Sequence, residues 1–358
     1  DPVREGVKEA IEDCKSAGIR TIMITGDNPN TARAISKKIG LETKEVLTGR
    51  KMEELTDKQL GRKLKEGTNV FARVDPEQKL RIMKRLRRGG NVVAMTGDGV
   101  NDSLALKRAD VGVSMGIKGT DVSKQASDLI LLDDNFVTIV EGVKEGRRIF
   151  DNARKFVNYL LTSNMAEVIV IFLATLFLTL EYPILLPVQL LWINLLTDGF
   201  PALALGVDPP RKEIMEDNPR DRGEGVINKE VAYLIVSLGI IITITLFATF
   251  FLNKHLFGIK VARTALFTGF VLYELARIGS IRHRDKSGWF SNKWLLWALA
   301  LSISLQLLII YTPLNSLFRI VPLGIVPWLI LVGGTIFTYV LAILATKVIA
   351  RSISGHKY

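Results

Sequence analysis

The pattern of hydrophobic and polar positions divides the chain into two unlike parts. Up to about residue 155, short apolar runs alternate with polar segments, and from Tyr159 onward long apolar stretches follow one another. Short apolar runs bounded by glycine or charged residues are typical of buried strands. Stretches close to the ~20 residues needed to cross a bilayer are typical of membrane helices. The pattern therefore predicts an α/β domain followed by a helical membrane domain.

The first part is predicted to alternate between helices and strands. Residues 3–17 and 31–39 have helical character and end at glycines, and another helix begins at Asp75-Pro76 with proline near its first position. Strands that alternate with helices favour a parallel, doubly wound sheet, so the expected fold is Rossmann-like. The predicted strands are 19–24, 71–74, 91–95, 111–114 and 129–132.

The second part is predicted to contain six transmembrane helices. Residues 137–158 contain no proline and only two glycines, Gly142 and Gly146, which favours a helix that leads toward the bilayer. The predicted organisation is a soluble domain over 1–136, a stalk helix over 137–158 and a multi-pass membrane domain over 159–358. The approximate helix ranges are 159–180, 184–205, 229–252, 262–281, 293–312 and 325–347.

The net charge of +11 raises the question of nucleic acid binding. The basic run at residues 84–88 is interpreted as a solvated helix face that ends at Gly89-Gly90, so no nucleic acid partner is expected. Much of the remaining positive charge lies beside the apolar spans, as it does in cytoplasmic loops. With six crossings, the soluble domain, the basic loop and the carboxyl terminus are all expected on the cytoplasmic side. The loop and terminal residues concerned are Arg277, Arg282, Arg284, Lys286, Lys293, Lys347, Arg351 and Lys357.

The scarcity of cysteine and histidine excludes two classes of site. Cys14 is the only cysteine, so neither a disulfide framework nor a cysteine-based zinc site is available. The three histidines lie far apart, at His255, His283 and His356. No span contains Cys-Pro-Cys, which argues against a pathway for soft metal ions.

Polar residues follow three predicted strands of the soluble part. Ligands of open α/β sheets bind at the carboxyl ends of the strands. A hydroxyl and an ammonium group can hold phosphoryl oxygens there, and a carboxylate can hold Mg²⁺, so the combination predicts phosphoryl chemistry. The residues are Thr25, Gly26 and Asp27 after strand 19–24, Lys79 after strand 71–74, and Asp98, Asn101 and Asp102 after strand 91–95.

The predicted membrane helices carry acids that are costly at bilayer depth, by at least ~2.5 kcal/mol each. No Lys or Arg occurs between Lys155 and Arg211, so pairing within the first two spans is excluded, whereas Glu274 could pair with Arg277 one turn later. The acids share helix faces with amides and a hydroxyl, an all-oxygen set that hard cations such as Ca²⁺ prefer. The set consists of Asn164, Glu167, Asn194, Thr197, Asp198 and Glu274.

The segments ITGDN (24–28), DPEQK (75–79) and MTGDGVND (95–102) resemble the phosphorylation domain of P-type cation ATPases, within the haloacid-dehalogenase superfamily. The resemblance implies that Asp98 ligates Mg²⁺ and that Lys79 and Thr25 with Gly26 hold the phosphoryl group. It implies that Asp27 belongs to the catalytic set and that Asn101 and Asp102 stabilise the site and its hinge.

The segments SNMAE (163–167) and LLWINLLTDGFPALALGVDPP (190–210) resemble helices five and six of type IIA, sarco/endoplasmic-reticulum-type calcium pumps. The resemblance implies one Ca²⁺ site at Asn164, Glu167, Thr197, Asp198 and Glu274. A second site would use Asn194, Asp198 and a fourth-helix glutamate that this chain lacks. Sodium–potassium and gastric proton pumps place an acid at the position of Asn194. Plasma-membrane calcium pumps lack an acid at the position of Glu167.

The chain also departs from that family. It contains no Asp-Lys-Thr-Gly-Thr motif, which carries the family's nucleophilic aspartate, and it lacks the nucleotide-binding domain, the actuator domain and the first four membrane helices. The expectation is therefore the carboxyl-terminal portion of an ATP-driven Ca²⁺ pump, or half of a split one, inactive as an ATPase by itself. The alternatives are a sodium or proton pump, a membrane-anchored phosphatase of the same superfamily, or a non-catalytic membrane partner.

Overall fold

The computed structural model describes residues 3–178 and 183–353, which form two compact units. The first unit comprises the described residues up to Gly146 together with Lys212–Gly223. The second comprises Arg147–Arg211 and the described residues from Glu224 onward. A segment between two membrane-type helices, Lys212–Gly223, thus groups with the soluble part of the chain.

The strands of the first unit form two parallel sheets, each three-stranded, with orders β1-β3-β2 and β4-β5-β6. Parallel pairing is confirmed, but among the described residues β1 and β4 are each paired on one side only, so a single continuous sheet is not formed. The strands are β1 Met23–Ile24, β2 Val46–Thr48, β3 Val70–Ala72, β4 Ala94–Gly97, β5 Val111–Met115 and β6 Leu129–Leu131.

The helices of the first unit surround these sheets. Helix α5 begins with a capping box, in which Asp75 accepts from the Gln78 amide and the Gln78 side chain accepts from the Asp75 amide, and Pro76 occupies the first turn. It ends at Arg88 before Gly89, as expected for the basic run. The helices are α1 Val7–Ser16, α2 Pro29–Lys38, α3 Gly49–Glu53, α4 Asp57–Lys65, α5 Pro76–Arg88, α6 Ser103–Arg108 and α7 Asp121–Gln125, with a 3₁₀ turn at Val100–Asp102.

The second unit is all-helical, and the first of its helices begins within the first unit and runs without a break. A π-helical segment, Ile193–Thr197, separates α9 from α10. The helices are α8 Phe136–Phe177, α9 Pro187–Trp192, α10 Gly199–Gly206, α11 Lys229–Phe257, α12 Ile259–Arg284, α13 Lys293–Tyr311 and α14 Ile325–Ile353, with a 3₁₀ turn at Pro313–Ser316.

Within the described residues, five helical segments are long and apolar enough to cross a membrane. Helix α12, which covers the predicted span 262–281, does not meet that standard, because residues such as Glu274 and Arg277 lower its hydropathy. Most of its side chains are buried, and it packs chiefly on α11 and α14. A helix enclosed by protein need not be apolar all round, so its place as a sixth span stays a prediction. The segments are Phe136–Phe177, Pro187–Gly206, Lys229–Phe257, Lys293–Tyr311 and Ile325–Ser352.

Candidate phosphoryl and cation sites

Thr25, Gly26 and Asp27 form a tight turn directly after β1. The Thr25 amide donates to the Phe71 carbonyl of β3 at 2.9 Å, and the Thr25 carbonyl accepts from the Val74 amide at 3.1 Å, so the turn is tied to the neighbouring strand. The Thr25 hydroxyl donates to Asp27 Oδ2 at 2.8 Å. The same hydroxyl accepts from the Asp27 amide at 3.1 Å, so the turn is closed by its own hydrogen bonds and its exposed residues are Gly26 and Asp27.

Lys79 meets the loop that follows β4. Its Nζ donates to Asp102 Oδ1 at 2.7 Å, and both side chains are largely buried. Position 97 has room only for glycine, because a Cβ there would lie 2.4–2.9 Å from atoms of the Asp102 side chain. Of the predicted pieces, the structure thus brings together the DPEQK helix and the TGDGVND loop.

Asp98 is held through its backbone, and its carboxylate is left exposed. The Asp98 carbonyl accepts from the Thr120 amide at 2.9 Å and from Ser123 Oγ at 3.1 Å. Asn101 is also exposed. Among the described residues, no hydrogen bond joins the Thr25 turn to the Asp98 loop.

In the helical unit, Glu167 of α8 meets the π-helical segment. Asn194 Nδ2 donates to both carboxylate oxygens, at 3.0 Å to Oε1 and 2.9 Å to Oε2. Asp198 lies at the end of the same segment, and its Oδ1 accepts from the Tyr159 hydroxyl of α8 at 3.3 Å. Two of the predicted acids are therefore held between the same pair of chain segments.

Three acids in this region are buried and form no ion pair with the residues that the structure describes. The side chains of Glu167, Asp198 and Glu274 retain 7%, 1% and 0% of their exposure. Within residues 3–178 and 183–353, four buried oxygens have no hydrogen-bond partner: Asp198 Oδ2, both carboxylate oxygens of Glu274 and Ser163 Oγ. The guanidinium of Arg277 donates to Ser280 Oγ at 2.6 Å rather than to Glu274, so the predicted alternative pairing is not formed. Buried polar groups without partners are costly, which makes this cluster a candidate ligand site.

The π-helical segment has a local cause in the sequence. Asp198 N donates to the Ile193 carbonyl at 2.9 Å, five residues back, and Thr197 Oγ1 donates to the same carbonyl at 3.1 Å. Pro201 has no amide proton and so cannot donate to the Thr197 carbonyl four residues earlier. Single π turns inside helices are frequent at functional sites.

The structure departs from the predicted ligand set in two respects. Asn164 is exposed on α8, whereas Glu167 one turn later is buried, so the two do not lie in the same environment. In residues 3–178 and 183–353, no three His, Cys, Asp or Glu side chains converge closely enough to hold a metal ion by themselves. A cation here would need amide, hydroxyl or carbonyl oxygens in addition to the acids.

Tyr159 and Ser163 belong to the same region but were not among the predicted site residues. Both precede Glu167 at intervals of four residues, so they lie on the same face of α8. Extending that face by two turns from Glu167 would have identified them.

A second buried acid in the helical unit has cationic partners. Asp208, fully buried after α10, accepts from Lys155 Nζ at 2.9 Å, Arg282 Nη1 at 2.6 Å and Asn292 Nδ2 at 2.9 Å. Lys155 Nζ also lies 3.1 Å from Asp285 Oδ2. Burial raises the pKa of Asp208, but the nearby charges of Lys155 and Arg282 and the hydrogen bonds outweigh it, and its pKa lies below the usual value. This cluster was not predicted.

The chain matches two family models. Residues 182–349 match the model described as cation transporting ATPase, C-terminus, and residues 1–110 match the model described as haloacid dehalogenase-like hydrolase. The chain belongs to the cation-transporting ATPases. The resemblance drawn from the TGD motifs and the 190–210 segment is thereby confirmed.

Relatives of this chain are named as calcium-transporting ATPases. The calcium-transporting ATPase of Bacillus subtilis is 43% identical over 351 residues, which cover 96% of this chain and 39% of that protein. The endoplasmic reticulum-type calcium-transporting ATPase 4 of Arabidopsis thaliana is 36% identical over 429 residues, covering 100% of this chain and 40% of that protein. The calcium-transporting ATPase type 2C member 1 of Bos taurus is 39% identical over 359 residues, which cover 97% of this chain and 37% of that protein.

The chain thus spans about two fifths of the length of the curated relatives it matches. The family match and the five apolar helices among its described residues make this chain part of an integral membrane protein.

Proposed function

We propose that residues 1–358 form the carboxyl-terminal part of a P-type pump that transports Ca²⁺ across a membrane, driven by formation and hydrolysis of an aspartyl phosphate. The observation that carries the proposal is the group of buried acids Glu167, Asp198 and Glu274, which form no ion pair with any described residue. The names of the relatives support calcium as the cation.

The donor set suits a hard cation. Asp198 and Glu274 offer carboxylate oxygens that make no hydrogen bond, and Glu167 is oriented by the amide of Asn194. Ca²⁺ takes six to eight oxygen ligands at flexible geometry. Asn194 and Thr197 lie in the π-helical segment, directly before Asp198. The Asn164 side chain is exposed and would have to turn toward the site when the ion binds. In this proposal all six side chains serve the transported ion.

The sheet ends of the first unit would handle the phosphoryl group. Asp98, exposed and without a side-chain hydrogen bond, is accessible to Mg²⁺, which would neutralise charge on the phosphoryl oxygens. Lys79 and the Thr25 turn, with Gly26 and Asp27, would bind those oxygens, and Asp102 holds the Lys79 ammonium in place. Asn101 would support the loop that carries Asp98.

The nucleophilic aspartate and ATP would come from the rest of the pump. Strands β1 and β4 each have one unpaired edge among the described residues, and Val92 just before β4 is 60% exposed. Unpaired edges accept a further strand, so we assign the nucleophile-bearing strand to these edges. The actuator domain, the nucleotide domain and four further membrane helices are the expected partners, and the soluble parts would face the cytoplasm.

The test is the Ca²⁺ dependence of phosphorylation from ATP in the full-length protein that contains this segment. Glu167→Gln and Asp198→Asn remove the charge and keep the shape, so both are expected to abolish Ca²⁺-dependent phosphoenzyme. The matched control is Asp121→Asn, an exposed position in the first unit.

Normal phosphoenzyme formation at low Ca²⁺ in both variants would refute the calcium assignment. Stimulation of the wild-type protein by Na⁺ or by protons, but not by Ca²⁺, would identify a different pump within the same family.

A further inference from the structure

Helix α13 carries two buried polar side chains one turn apart. Ser302 and Gln306 retain 0% and 2% of their exposure, and most of the helix is apolar. Their spacing of four residues places them on one face. Polar groups inside a membrane helix are expensive and are usually retained for a function. Ser302 contacts the segment that carries candidate cation ligands, and Gln306 contacts the residue directly before that segment.

Ser302 satisfies a carbonyl that the sequence leaves without a helical partner. Its Oγ donates to the Thr197 carbonyl at 3.1 Å. In a regular helix that carbonyl would accept from the amide of residue 201, which is a proline. Ser302 therefore takes the place of the missing amide at the carboxyl end of the π-helical segment.

Gln306 holds the other end of that segment. Its Oε1 accepts from Trp192 Nε1 at 3.2 Å, directly before Ile193. Its Nε2 donates to Thr268 Oγ1 at 3.2 Å, on the helix that also carries Glu274. One side chain therefore joins the last residue of α9, directly before the π-helical segment, to α12.

We propose that Ser302 and Gln306 are positioning residues that hold both ends of the π-helical segment 193–197 and so set the affinity of the cation site. Neither residue touches the ion. This inference rests on the proposed function, because it concerns how Asn194, Thr197 and Asp198 are oriented for that ion. Removing one hydrogen bond to a buried group that has no other partner costs about 1 kcal/mol or more. A cost of that size corresponds to about a fivefold change in a dissociation constant.

The experiment titrates Ca²⁺ against phosphorylation from ATP in the full-length protein. Ser302→Ala is expected to raise the half-maximal Ca²⁺ concentration by about fivefold, with an unchanged maximum level. Gln306→Met keeps the volume and removes both hydrogen bonds, so its shift is expected to be at least as large. Ser304→Ala is the matched control, since Ser304 lies on the exposed face of the same helix. It should titrate like the wild-type protein.

A second readout separates positioning from general destabilisation. Phosphorylation from inorganic phosphate without Ca²⁺ does not need an occupied cation site, so it should be unchanged in Ser302→Ala and Gln306→Met. Trp192→Phe removes the donor to Gln306 without changing α13, and a shift in the same direction supports the inference even if an α13 variant fails to fold.

The remaining outcomes are distinguishable. A Ca²⁺-responsive wild-type protein with all three variants titrating like Ser304→Ala would overturn this inference alone. Parallel loss of phosphorylation from inorganic phosphate would assign Ser302 and Gln306 a merely structural role. A wild-type protein without any Ca²⁺ response would overturn the proposed function and this inference with it.

Discussion

The helical unit contains two buried acidic clusters that differ in their partners. Asp208 is surrounded by Lys155, Arg282 and Asn292, and its oxygens are hydrogen-bonded. Asp198 has one hydroxyl partner, Tyr159, and one oxygen without any partner. Among the described residues, neither carboxylate oxygen of Glu274 has a hydrogen-bond partner. The two clusters are about equally buried, so burial alone does not separate them.

The two clusters differ in how the charge of the carboxylate is compensated. In the Asp208 cluster, side chains from α8, α12 and the residue before α13 converge on one carboxylate, and its charge is compensated inside the protein. In the Asp198 cluster the compensating charge is missing from the described residues. A buried carboxylate without a cation either takes up a proton or binds a cation from outside. The unpaired cluster is therefore the candidate transport site, and the paired cluster holds the helix ends together.

The same substitution should lower stability in the Asp208 cluster but not in the Asp198 cluster. Asp208→Asn leaves Lys155 and Arg282 buried with weaker compensation, and breaking such a pair costs about 3–5 kcal/mol. Asp198→Asn removes an uncompensated charge, so it is expected to leave stability unchanged or to raise it. Thermal unfolding of the purified protein in detergent measures both.

Arg282→Met serves as a second check on the paired cluster, because it removes one of the two cations that contact Asp208. It should lower the unfolding temperature in the same direction as Asp208→Asn. Equal shifts for Asp198→Asn and Asp208→Asn would show that the two clusters do not differ in the way described.

A smaller effect is expected from Tyr159→Phe, which removes the hydroxyl that donates to Asp198 Oδ1. The loss of one hydrogen bond to a charged group is worth about 1.5–3 kcal/mol at most, and the 3.3 Å distance favours the lower end. The half-maximal Ca²⁺ concentration for phosphorylation should rise by about tenfold or less. Tyr233→Phe, at an exposed position on α11, provides the control. No difference between the two variants would remove Tyr159 from the site.

The smallest effect concerns pH. Because the pKa of Asp208 lies below its usual value, its stabilising contribution is present above the unfolded-state pKa, near ~3.9, and is lost as pH falls through the lower folded-state pKa. The difference in unfolding temperature between wild type and Asp208→Asn should therefore stay constant from about pH 8 to about pH 5. It should shrink only under stronger acid. A difference that disappears already near neutral pH would mean that the Asp208 pKa is not lowered.

Much of the soluble unit followed from local patterns. The strands before Thr25 and Asp98 were predicted at 19–24 and 91–95, and the structure has shorter or shifted strands there, Met23–Ile24 and Ala94–Gly97. The helix opened by Asp75-Pro76 was predicted because proline and a capping residue mark its start. Strand β2 and helices α3 and α4 were not predicted, since β2 covers only Val46–Thr48 and has no distinct apolar run. The sixth span was predicted from length, but α12 carries charges that only a protein-enclosed position tolerates.

The sequence by itself determined which chemical groups are available: the TGD turns, Lys79, the acids of the helical part and the proline that removes an amide from α10. It also determined that no lysine or arginine of the first two spans can neutralise Glu167 or Asp198. The tertiary structure decided which acids are paired, because Lys155, Arg282 and Asn292 are distant from Asp208 in sequence and meet it only when the helices pack. It likewise decided that Ser302 replaces the missing amide at Pro201, since a hydrogen bond between two helices depends on their packing and not on spacing along either one.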